Sequence, residues 1–320
     1  MTWPGWTTSA SSRASTPNGH PVRSSEATTW RAGSPRWAEA RHLTSDGGTV
    51  MTSTTVGFIG LGAMGEPMAA NLLAAGVDVV SCAHRNREPI ERLAVRGLRE
   101  VADPAAVGAA ADVVMTVVWD EAQNDRVLRG PHGAIAAMRP EGVVIVMSTV
   151  SPTYCKQLDV EAAELGISVL DCPVSGMVKG AIDGTLTLMI GGSAEDIERC
   201  RPVLEPMGTI SHCGPVGTGQ VMKLGNNAMA IGTFGLIMEV REMVAAQGMS
   251  LDTFMEFLNQ STGRSFVSET WPMPQERITF TGMPVKDMRR CLAAANDVGA
   301  AMPMLARLLE TGADDDEGPV

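Results

Sequence analysis

One stretch decides the fold: Val56-Gly57-Phe58-Ile59-Gly60-Leu61-Gly62-Ala63-Met64-Gly65-Glu66-Pro67-Met68. It opens with an apolar run that is typical of a buried strand, and the residues that follow it have a helical pattern. Three glycines lie between the two patterns, at positions 60, 62 and 65, and fit G-x-G-x-x-G. The order of strand, glycine turn and helix is the context in which that motif has physical meaning.

The glycine turn suits the pyrophosphate of a dinucleotide. The first glycine permits a tight turn, the second lets the backbone approach the phosphates, and the third lets helix and strand pack closely. The N-terminus of the helix then faces the negative charge. We therefore predict a cofactor contact at six consecutive residues, Gly60, Leu61, Gly62, Ala63, Met64 and Gly65. A purely structural glycine turn is the alternative.

Short apolar runs alternate with helical patterns as far as about residue 213. The runs occupy residues 55–60, 77–83, 113–118, 143–147, 167–171 and 185–190. Strands of this kind, separated by helices, indicate a parallel sheet covered on both faces. We predict a doubly wound, mostly parallel α/β Rossmann domain over residues 51–213, with ligands beyond the carboxyl ends of its strands.

The chain after residue 214 has a different pattern. Residues 217–247 predict one long helix, further helices are expected at 250–260, 285–299 and 302–310, and no strand pattern occurs. We predict an all-helical domain for substrate binding and dimerisation over residues 214–312, joined to the first domain by the long helix, and an acidic tail over 313–320. The long helix is apolar on more than one face, so we expect it to be buried, in part against a second subunit of a homodimer or larger homo-oligomer.

Residues 1–50 are rich in Ser, Thr, Arg, Pro and Gly and follow no apolar period. Such a composition buries too little surface to offset the entropy lost on ordering. We predict a disordered segment, or a spurious extension upstream of a start at Met51. A targeting peptide is the alternative, since the segment is Arg- and Ser-rich, but it has no clear amphipathic helix and no secretory apolar core.

Composition excludes several classes of protein. The net charge of −11 argues against a nucleic-acid partner, because phosphate binding needs a basic face. No run of about eighteen apolar residues occurs, so no membrane span is predicted. The six cysteines are scattered without a C-x-x-C pair, which indicates a reducing compartment and neither a disulfide framework nor a metal site. We expect a cytoplasmic enzyme with a small-molecule substrate.

In a Rossmann domain, the residue at the end of the second strand indicates whether NAD or NADP is bound. An acid there binds the ribose 2′-hydroxyl of NAD, whereas an arginine accommodates the 2′-phosphate of NADP. This chain has no acid at that point and has Arg85, with Arg87 nearby. A guanidinium binds phosphate in bidentate fashion. We predict NADP, with NAD and two solvated arginines as the alternative.

Lys223 and Asn227 lie four residues apart in the predicted long helix and therefore share a face. A lysine in an apolar neighbourhood can have its pKa lowered and serve as an acid or a base. An amide beside it can hold a substrate hydroxyl. The spacing alone also allows a purely structural interpretation, in which the lysine side chain packs along the helix and extends its ammonium to solvent.

From Met51 to about Pro303 the chain resembles the β-hydroxyacid dehydrogenases, the family of 3-hydroxyisobutyrate dehydrogenase and tartronate semialdehyde reductase. Five separate blocks carry the resemblance in the family's order. They are the glycine turn over 57–65, Ser148-Thr149-Val150-Ser151-Pro152, Asp171-Cys172-Pro173-Val174-Ser175-Gly176, Gly219-Gln220-Val221-Met222-Lys223-Leu224-Gly225-Asn226-Asn227, and Lys286-Asp287.

The resemblance implies roles for individual residues. Lys223 would relay the proton of the substrate's 3-hydroxyl, and Asn227 would position that hydroxyl. A substrate carboxylate would be held by Ser175 and the backbone of Gly176 and Met177. The remaining assignments are a nicotinamide contact for Thr149, a cofactor contact for Val118, and a positive charge near cofactor or substrate for Lys286.

The chain departs from the family pattern at particular positions. Met177 stands where a second glycine is usual, so a side chain would fill part of the pocket or disturb the carboxylate site. Val118-Trp119 replaces Leu-Pro beside the cofactor, and Val146 replaces an acid before the Ser-Thr block. These changes leave the substrate open.

Other functions are compatible with the architecture. An imine reductase is one, although those relatives typically replace the lysine that is present here as Lys223. A sugar-acid decarboxylase would use a glutamate seven residues later, where this chain has Ala230. A cofactor-binding module without turnover is the alternative from another class.

Overall fold

The computed structural model describes residues 54–271 and 283–310, together with two short strands, β1 (Arg41–Leu43) and β2 (Thr49–Met51). These two strands pair antiparallel. Both strands lie in or next to residues 1–50, for which the sequence predicts a disordered segment or a spurious extension, and that interpretation stays a prediction. The rest of that segment and the predicted acidic tail lie outside the described residues.

Nine of the described strands form one sheet. They are β3 (Thr55–Ile59), β4 (Asp78–Cys82), β5 (Arg99–Val101), β6 (Val113–Thr116), β7 (Val143–Val146), β8 (Ser168–Asp171), β9 (Val174–Ser175), β10 (Leu186–Gly191) and β11 (Gly208–Gly214). Their order is β11-β10-β8-β7-β6-β3-β4-β5, with β9 beside β10.

From β3 the chain first moves outward to β4 and β5. It then crosses back to the other side of β3 and continues through β6, β7 and β8, and all of these strands are parallel. The carboxyl ends of β3 and β6 thus form a topological switch point, where ligands bind in open sheets of this type. β10 runs antiparallel to β8 and β9 and parallel to β11. The Rossmann prediction is confirmed, and β10 and β11 account for a sheet that is mostly rather than entirely parallel.

Helices connect these strands. They are α1 (Gly65–Ala74), α2 (Glu88–Ala94), α3 (Pro104–Ala110), α4 (Glu121–Leu128), α5 (Pro152–Ala163), α6 (Met177–Asp183) and α7 (Ala194–Leu204), with single 3₁₀ turns at Ile135–Ala137 and Glu205–Met207. Side chains cap several N-termini, as when Asp103 accepts from the Ala106 N–H and Asp120 accepts from the Gln123 N–H. Such caps satisfy backbone donors that have no partner within the helix.

The two faces of the sheet carry separate hydrophobic clusters. On β3, Val56 and Phe58 belong to one cluster, which includes α1, while Ile59 belongs to the other, which includes α3 and α5. The alternation follows from the two-residue period of a strand. Val114 and Val144 are fully buried in the second cluster. Both faces are therefore covered, as the apolar runs predicted.

The remaining described elements are helices: α8 (Thr218–Ala246), α9 (Leu251–Asn259), α10 (Phe266–Glu269), α11 (Met283–Asp297) and α12 (Pro303–Leu309). No strand follows Gly214 in the part of the chain that the structure describes. Leu224 of α8 packs with Val285 and Met288 of α11, whereas Phe234 further along α8 packs with Met255 of α9. α8 is thus the axis on which the helical part is assembled.

The expectation that α8 is buried holds on one side only. Within the single chain, Met229 is 72% exposed, Leu236 56% and Met243 60%. The physical reason is that α9 to α12 cover one face of α8 and leave the opposite face to solvent. Within the described residues, we find no helix with the length and apolar content needed to cross a bilayer.

Candidate active site

The glycine turn has the geometry that a pyrophosphate site needs. Gly60 has φ +105°, and a Cβ built on it would lie 2.2 Å from the backbone oxygen of Val117. A Cβ on Gly65 would lie 1.8 Å from the oxygen of Gly60, so only glycine lets α1 start this close to β3. Gly62 has open space where a side chain would be, and no side chain caps the N-terminus of α1. The turn therefore fits a phosphate group at the start of α1.

The other predicted residues of this turn surround that open space. Ala63 is exposed, while Leu61 and Met64 are half-buried and pack against the hydrophobic cluster around α1. Their side chains anchor the turn to the core, which leaves the backbone to face a ligand.

The two arginines after β4 differ in their partners. Arg87 donates to Glu100 at 3.0 Å and lies 3.6 Å from Glu91. Arg85 is exposed and makes no hydrogen bond or ion pair with the rest of the described chain. Because β4 lies next to β3 in the sheet, Arg85 is at the carboxyl end beside the glycine turn. Of the two guanidinium groups, the one of Arg85 is available to an anionic ligand.

The start of α8 is fixed on the ends of β7 and β8. The buried carboxylate of Asp171 accepts the backbone N–H groups of Gly217 at 2.6 Å and Gln220 at 2.7 Å. The buried side chain of Gln220 accepts from Val150 N at 3.0 Å and donates to the oxygen of Ser148 at 2.9 Å. Burial raises the pKa of Asp171, and its backbone hydrogen bonds oppose that change. This network holds Lys223, one helical turn further on, above the carboxyl ends of the strands.

Asp287 of α11 interacts with both Lys223 and Asn227. Asn227 Nδ2 donates to Asp287 Oδ2 at 2.7 Å, and Asp287 is only 3% exposed. Burial lowers the pKa of Lys223, and the charge of Asp287 opposes part of that change. The Lys223 ammonium has no hydrogen-bond acceptor among the described residues. Asp287 thus fixes the amide of Asn227 while the amine beside it stays available.

Lys286 joins α11 to the loop after β6. Its Nζ donates to the backbone oxygen of Trp119 at 2.9 Å and lies 4.4 Å from the centre of the Trp119 ring. It also lies 3.8 Å from Asp287 Oδ1. Burial lowers the pKa of Lys286, Asp287 opposes this, and the charge of Arg290 lowers it again. The tryptophan that departs from the family pattern is therefore the partner of Lys286.

The predicted cofactor contacts Val118 and Thr149 are held by the same parts of the molecule. Val118 precedes Trp119, and its N–H donates to Ser148 Oγ at 2.9 Å. The backbone oxygen of Thr149 accepts from Arg290 Nη1 at 2.7 Å. Val118 and Thr149 thus belong to adjacent loops, after β6 and β7, on which α11 rests.

The predicted carboxylate loop starts at the end of β9, where Ser175 pairs with Thr187 of β10. Gly176 has φ +136°, and Met177 has φ +59° although it is not glycine. The backbone therefore keeps a glycine-like conformation at Met177, at a cost of about 1–3 kcal/mol. The Met177 side chain is 41% exposed, and the Ser175 hydroxyl makes no hydrogen bond with other described residues.

Asp287 was not predicted as a site residue. Local spacing identifies Lys223 and Asn227, which lie on one helix, but Asp287 reaches Asn227 from a helix sixty residues away. The feature of the sequence that could have identified Asp287 is its position next to Lys286, in the Lys-Asp pair near the end of the family pattern. In the described residues no group of three or more His, Cys, Asp or Glu side chains is arranged to hold a metal ion.

We expect Asp287→Asn to shift the pH profile of catalysis to lower pH. If Lys223 is the base that takes the proton of an alcohol, only its neutral form is active in oxidation, and kcat/KM rises as pH increases through the pKa of Lys223. The charge of Asp287 favours the ammonium, and its removal therefore lowers that pKa further. An asparagine still offers an oxygen to Asn227. Profiles of kcat/KM against pH for both proteins test this, and an unchanged or higher inflection in the variant would contradict it.

Two family models match consecutive parts of the chain. The NAD-binding domain of 6-phosphogluconate dehydrogenase matches residues 55–219, and the NAD-binding domain of NADP-dependent 3-hydroxyisobutyrate dehydrogenase matches residues 217–313. Among curated relatives, 2-(hydroxymethyl)glutarate dehydrogenase of Eubacterium barkeri is 33% identical over 79% of this chain and 86% of its own length. NAD-dependent L-serine dehydrogenase of Pseudomonas aeruginosa is 34% identical over 77% and 85%.

Solved structures agree with these matches. The 3-hydroxyisobutyrate dehydrogenase of Mycobacterium tuberculosis with L-serine superposes with a TM-score of 0.73 at 31% identity, covering 82% of this chain and 96% of that one. Psf3 in complex with NADP⁺ and 2-OPP gives a TM-score of 0.70 at 25% identity, with the same coverage. Matches of this identity and coverage, on a fold whose glycine turn fits a dinucleotide, show that the chain belongs to the β-hydroxyacid dehydrogenase family of NAD(P)-dependent enzymes.

Proposed function

We propose that this NAD(P)-dependent dehydrogenase prefers NADP and interconverts a small 3-hydroxy acid and its semialdehyde, with Lys223 as the general acid and base. The group formed by Lys223, Asn227 and Asp287 carries the proposal. It combines a partly buried amine of lowered pKa with an amide fixed by a buried carboxylate. That is the arrangement in which a lysine can exchange a proton with an alcohol.

The chemistry needs one hydride transfer and one proton transfer. A bound nicotinamide supplies the hydride acceptor for oxidation and the hydride donor for reduction. In oxidation, neutral Lys223 takes the hydroxyl proton and becomes an ammonium, while the carbon loses its hydrogen as hydride and the C–O bond becomes C=O. In reduction, the ammonium returns the proton to the oxygen. The lowered pKa of Lys223 makes both forms accessible nearer neutral pH than an exposed lysine would allow.

The relatives support this substrate class. The names 2-(hydroxymethyl)glutarate, 3-hydroxyisobutyrate and L-serine describe compounds with a hydroxymethyl group on the carbon that carries a carboxylate. In this chain, the Ser175 hydroxyl and the backbone after it are the predicted carboxylate site. Asn227 would hold the hydroxyl next to Lys223, since Asp287 occupies only one N–H of its amide.

The preference for NADP rests on Arg85. Its guanidinium is exposed and unpaired among the described residues, and the end of β4 carries no acid that could bind a ribose 2′-hydroxyl. The relatives include an NAD-dependent enzyme and a complex with NADP⁺, so their names alone do not decide between the cofactors.

A panel of small hydroxy acids, semialdehydes and cyclic imines, assayed with NADP(H) and NAD(H), tests the proposal. Wild-type protein should turn over 3-hydroxy acids, and Lys223→Met should not. Turnover of imines alone would support an imine reductase instead. Cofactor binding without turnover of any compound would support a non-catalytic module.

We also infer that the protein is a homodimer formed through α8. Met222, Met229, Leu236 and Met243 recur every seven residues and are 52–72% exposed, and Gly225 and Gly232 leave open space between them. A repeating apolar face of this length suits a second copy of the same helix. Light scattering should give twice the 33.7 kDa of one chain, and Leu236→Glu should shift the mass towards the monomer. A wild-type monomer at micromolar concentration would refute the dimer.

The cytoplasmic location stays a prediction.

A further inference from the structure

Arg290 extends from α11 one turn beyond Lys286, so both side chains lie on one face of the helix. Lys286 Nζ donates to the backbone oxygen of Trp119 at 2.9 Å, and Arg290 Nη1 donates to that of Thr149 at 2.7 Å. Trp119 follows β6 and Thr149 follows β7. α11 therefore lies across the carboxyl ends of two neighbouring strands and places one cation at each.

The charge of Arg290 has no carboxylate partner in the part of the chain that the structure describes. Its one hydrogen bond there goes to the neutral oxygen of Thr149. A guanidinium has five N–H donors in a planar fork. The half-buried position of Arg290 also limits its access to water. Several donors of this cation therefore have no partner among the described residues and can bind an anion.

Arg290 has a second cation beside it. The charge of Arg290 acts on Lys286 and lowers its pKa, and the carboxylates whose charge also reaches Lys286 among the described residues are Asp287 and Asp120. Asp287 is already engaged with Asn227, and Asp120 accepts from the Gln123 N–H at 2.7 Å as the cap of α4. Neither carboxylate has a hydrogen bond with Arg290.

The sheet order places Arg290 on the substrate side of Lys286. β7 lies between β6, where Lys286 is bound, and β8, which leads into the Ser175 loop. Lys223 rises from the start of α8, which Gln220 ties to the same β7 loop. A substrate that extends from the Ser175 loop to Lys223 therefore has Arg290 at the neighbouring strand end.

We propose that Arg290 binds a second anionic group of the substrate, so that the enzyme prefers 3-hydroxy acids with a second carboxylate further along the carbon chain. This inference rests on the proposed function, because it names the substrate class of the same site. The fork of the guanidinium matches a carboxylate in bidentate fashion. Arg290 is then a specificity residue that acts through charge, whereas a purely structural residue would only hold α11 on the β7 loop.

A matched pair of substrates tests this role: 2-(hydroxymethyl)pentanedioate and 2-(hydroxymethyl)pentanoate, which differ by the second carboxylate. For wild-type protein we expect kcat/KM to be roughly 10- to 100-fold higher for the dicarboxylate, the range of a charge-assisted hydrogen-bonded pair. Arg290→Gln removes the charge but keeps an N–H donor for Thr149, and should reduce that ratio to near one. Arg290→Lys, which keeps the charge but loses the fork, should give an intermediate ratio.

The same substitution at an exposed arginine is the control. Arg307 lies in α12 and pairs with Glu310, so Arg307→Gln should keep the wild-type ratio. Equal wild-type rates on the two substrates, or an equal loss on both in Arg290→Gln, would overturn the role of Arg290 and leave the proposed function standing. Absence of Lys223-dependent turnover of both compounds would overturn the proposed function and this inference together. The wild-type ratio does not depend on the folding of any variant.

Discussion

Lys223→Met lowers kcat for 3-hydroxy acid oxidation by about 10³-fold, within the usual range for loss of a general acid or base. Methionine is close to lysine in length and keeps the packing of the half-buried stem, so the change removes the amine and little else. Because Lys223 belongs to α8 and the glycine turn precedes α1, we expect the Kd for NADPH to change less than threefold. Steady-state kinetics and a fluorescence titration of NADPH measure the two quantities.

A second lysine supplies the matched control. Lys179 in α6 is exposed and paired with Asp183, so Lys179→Met should leave kcat within about twofold, as expected for a surface pair. The pH dependence gives an independent test. Burial lowers the pKa of Lys223 below its ordinary value of 10.5, so the oxidation rate should level off below pH 10.5 in wild-type protein. Full activity of Lys223→Met, or a pH profile unchanged by the substitution, would contradict the proposed mechanism.

The central strands of the sheet could be predicted from the sequence, and the edge strands could not. β6 and β7 are buried along their whole length, which gives a continuous apolar run such as Val143–Val146. β5 has only β4 as a neighbour and is mostly exposed. β11, also at an edge, is partly exposed along its length and reads Gly-Thr-Ile-Ser-His-Cys-Gly. An edge strand needs no continuous apolar run, so its sequence cannot be distinguished from that of the neighbouring loops.

Several helices were missed although their caps are visible in the sequence. Asp103 followed by Pro104 starts α3, and Ser193 caps α7 by accepting from the Asp196 N–H. Both are recognised start signals. The apolar pattern of these helices is short, so periodicity alone does not identify them. The capping residues would have located both helices.

The parts of the site that lie on one element could be predicted, and the contacts between elements could not. Lys223 and Asn227 are visible from a four-residue spacing, and the family resemblance identifies them. Their partner Asp287, the stacking of Lys286 on Trp119 and the bond from Arg290 to Thr149 each join segments 60 to 167 residues apart. No local pattern encodes such pairs, because they depend on how α11 packs across the sheet.

Arg85→Asp should move cofactor preference from NADP towards NAD by about 10²-fold or more in the ratio of kcat/KM values. A charge-assisted pair with phosphate contributes about 1.5–3 kcal/mol, and each 1.4 kcal/mol is a factor of ten. The new carboxylate repels a 2′-phosphate and can accept from a ribose 2′-hydroxyl, so both effects act in one direction. Kinetics with both cofactors at a fixed concentration of the hydroxy acid, together with direct Kd measurements, give the ratio.

Arg87 separates a specific role of Arg85 from a general effect of positive charge after β4. Arg87 is engaged with Glu100 and Glu91, so Arg87→Ser should change the ratio by less than about threefold, since exposed pairs of this kind contribute little. Its effect should also fade with added salt, because exposed charges are screened within about 10 Å at 0.1 M ionic strength. If Arg87→Ser shifted the preference as much as Arg85→Asp, the ion pair with Glu100 would have to open on binding, and the selectivity would belong to both arginines. An unchanged ratio in Arg85→Asp would remove the assignment of Arg85 altogether.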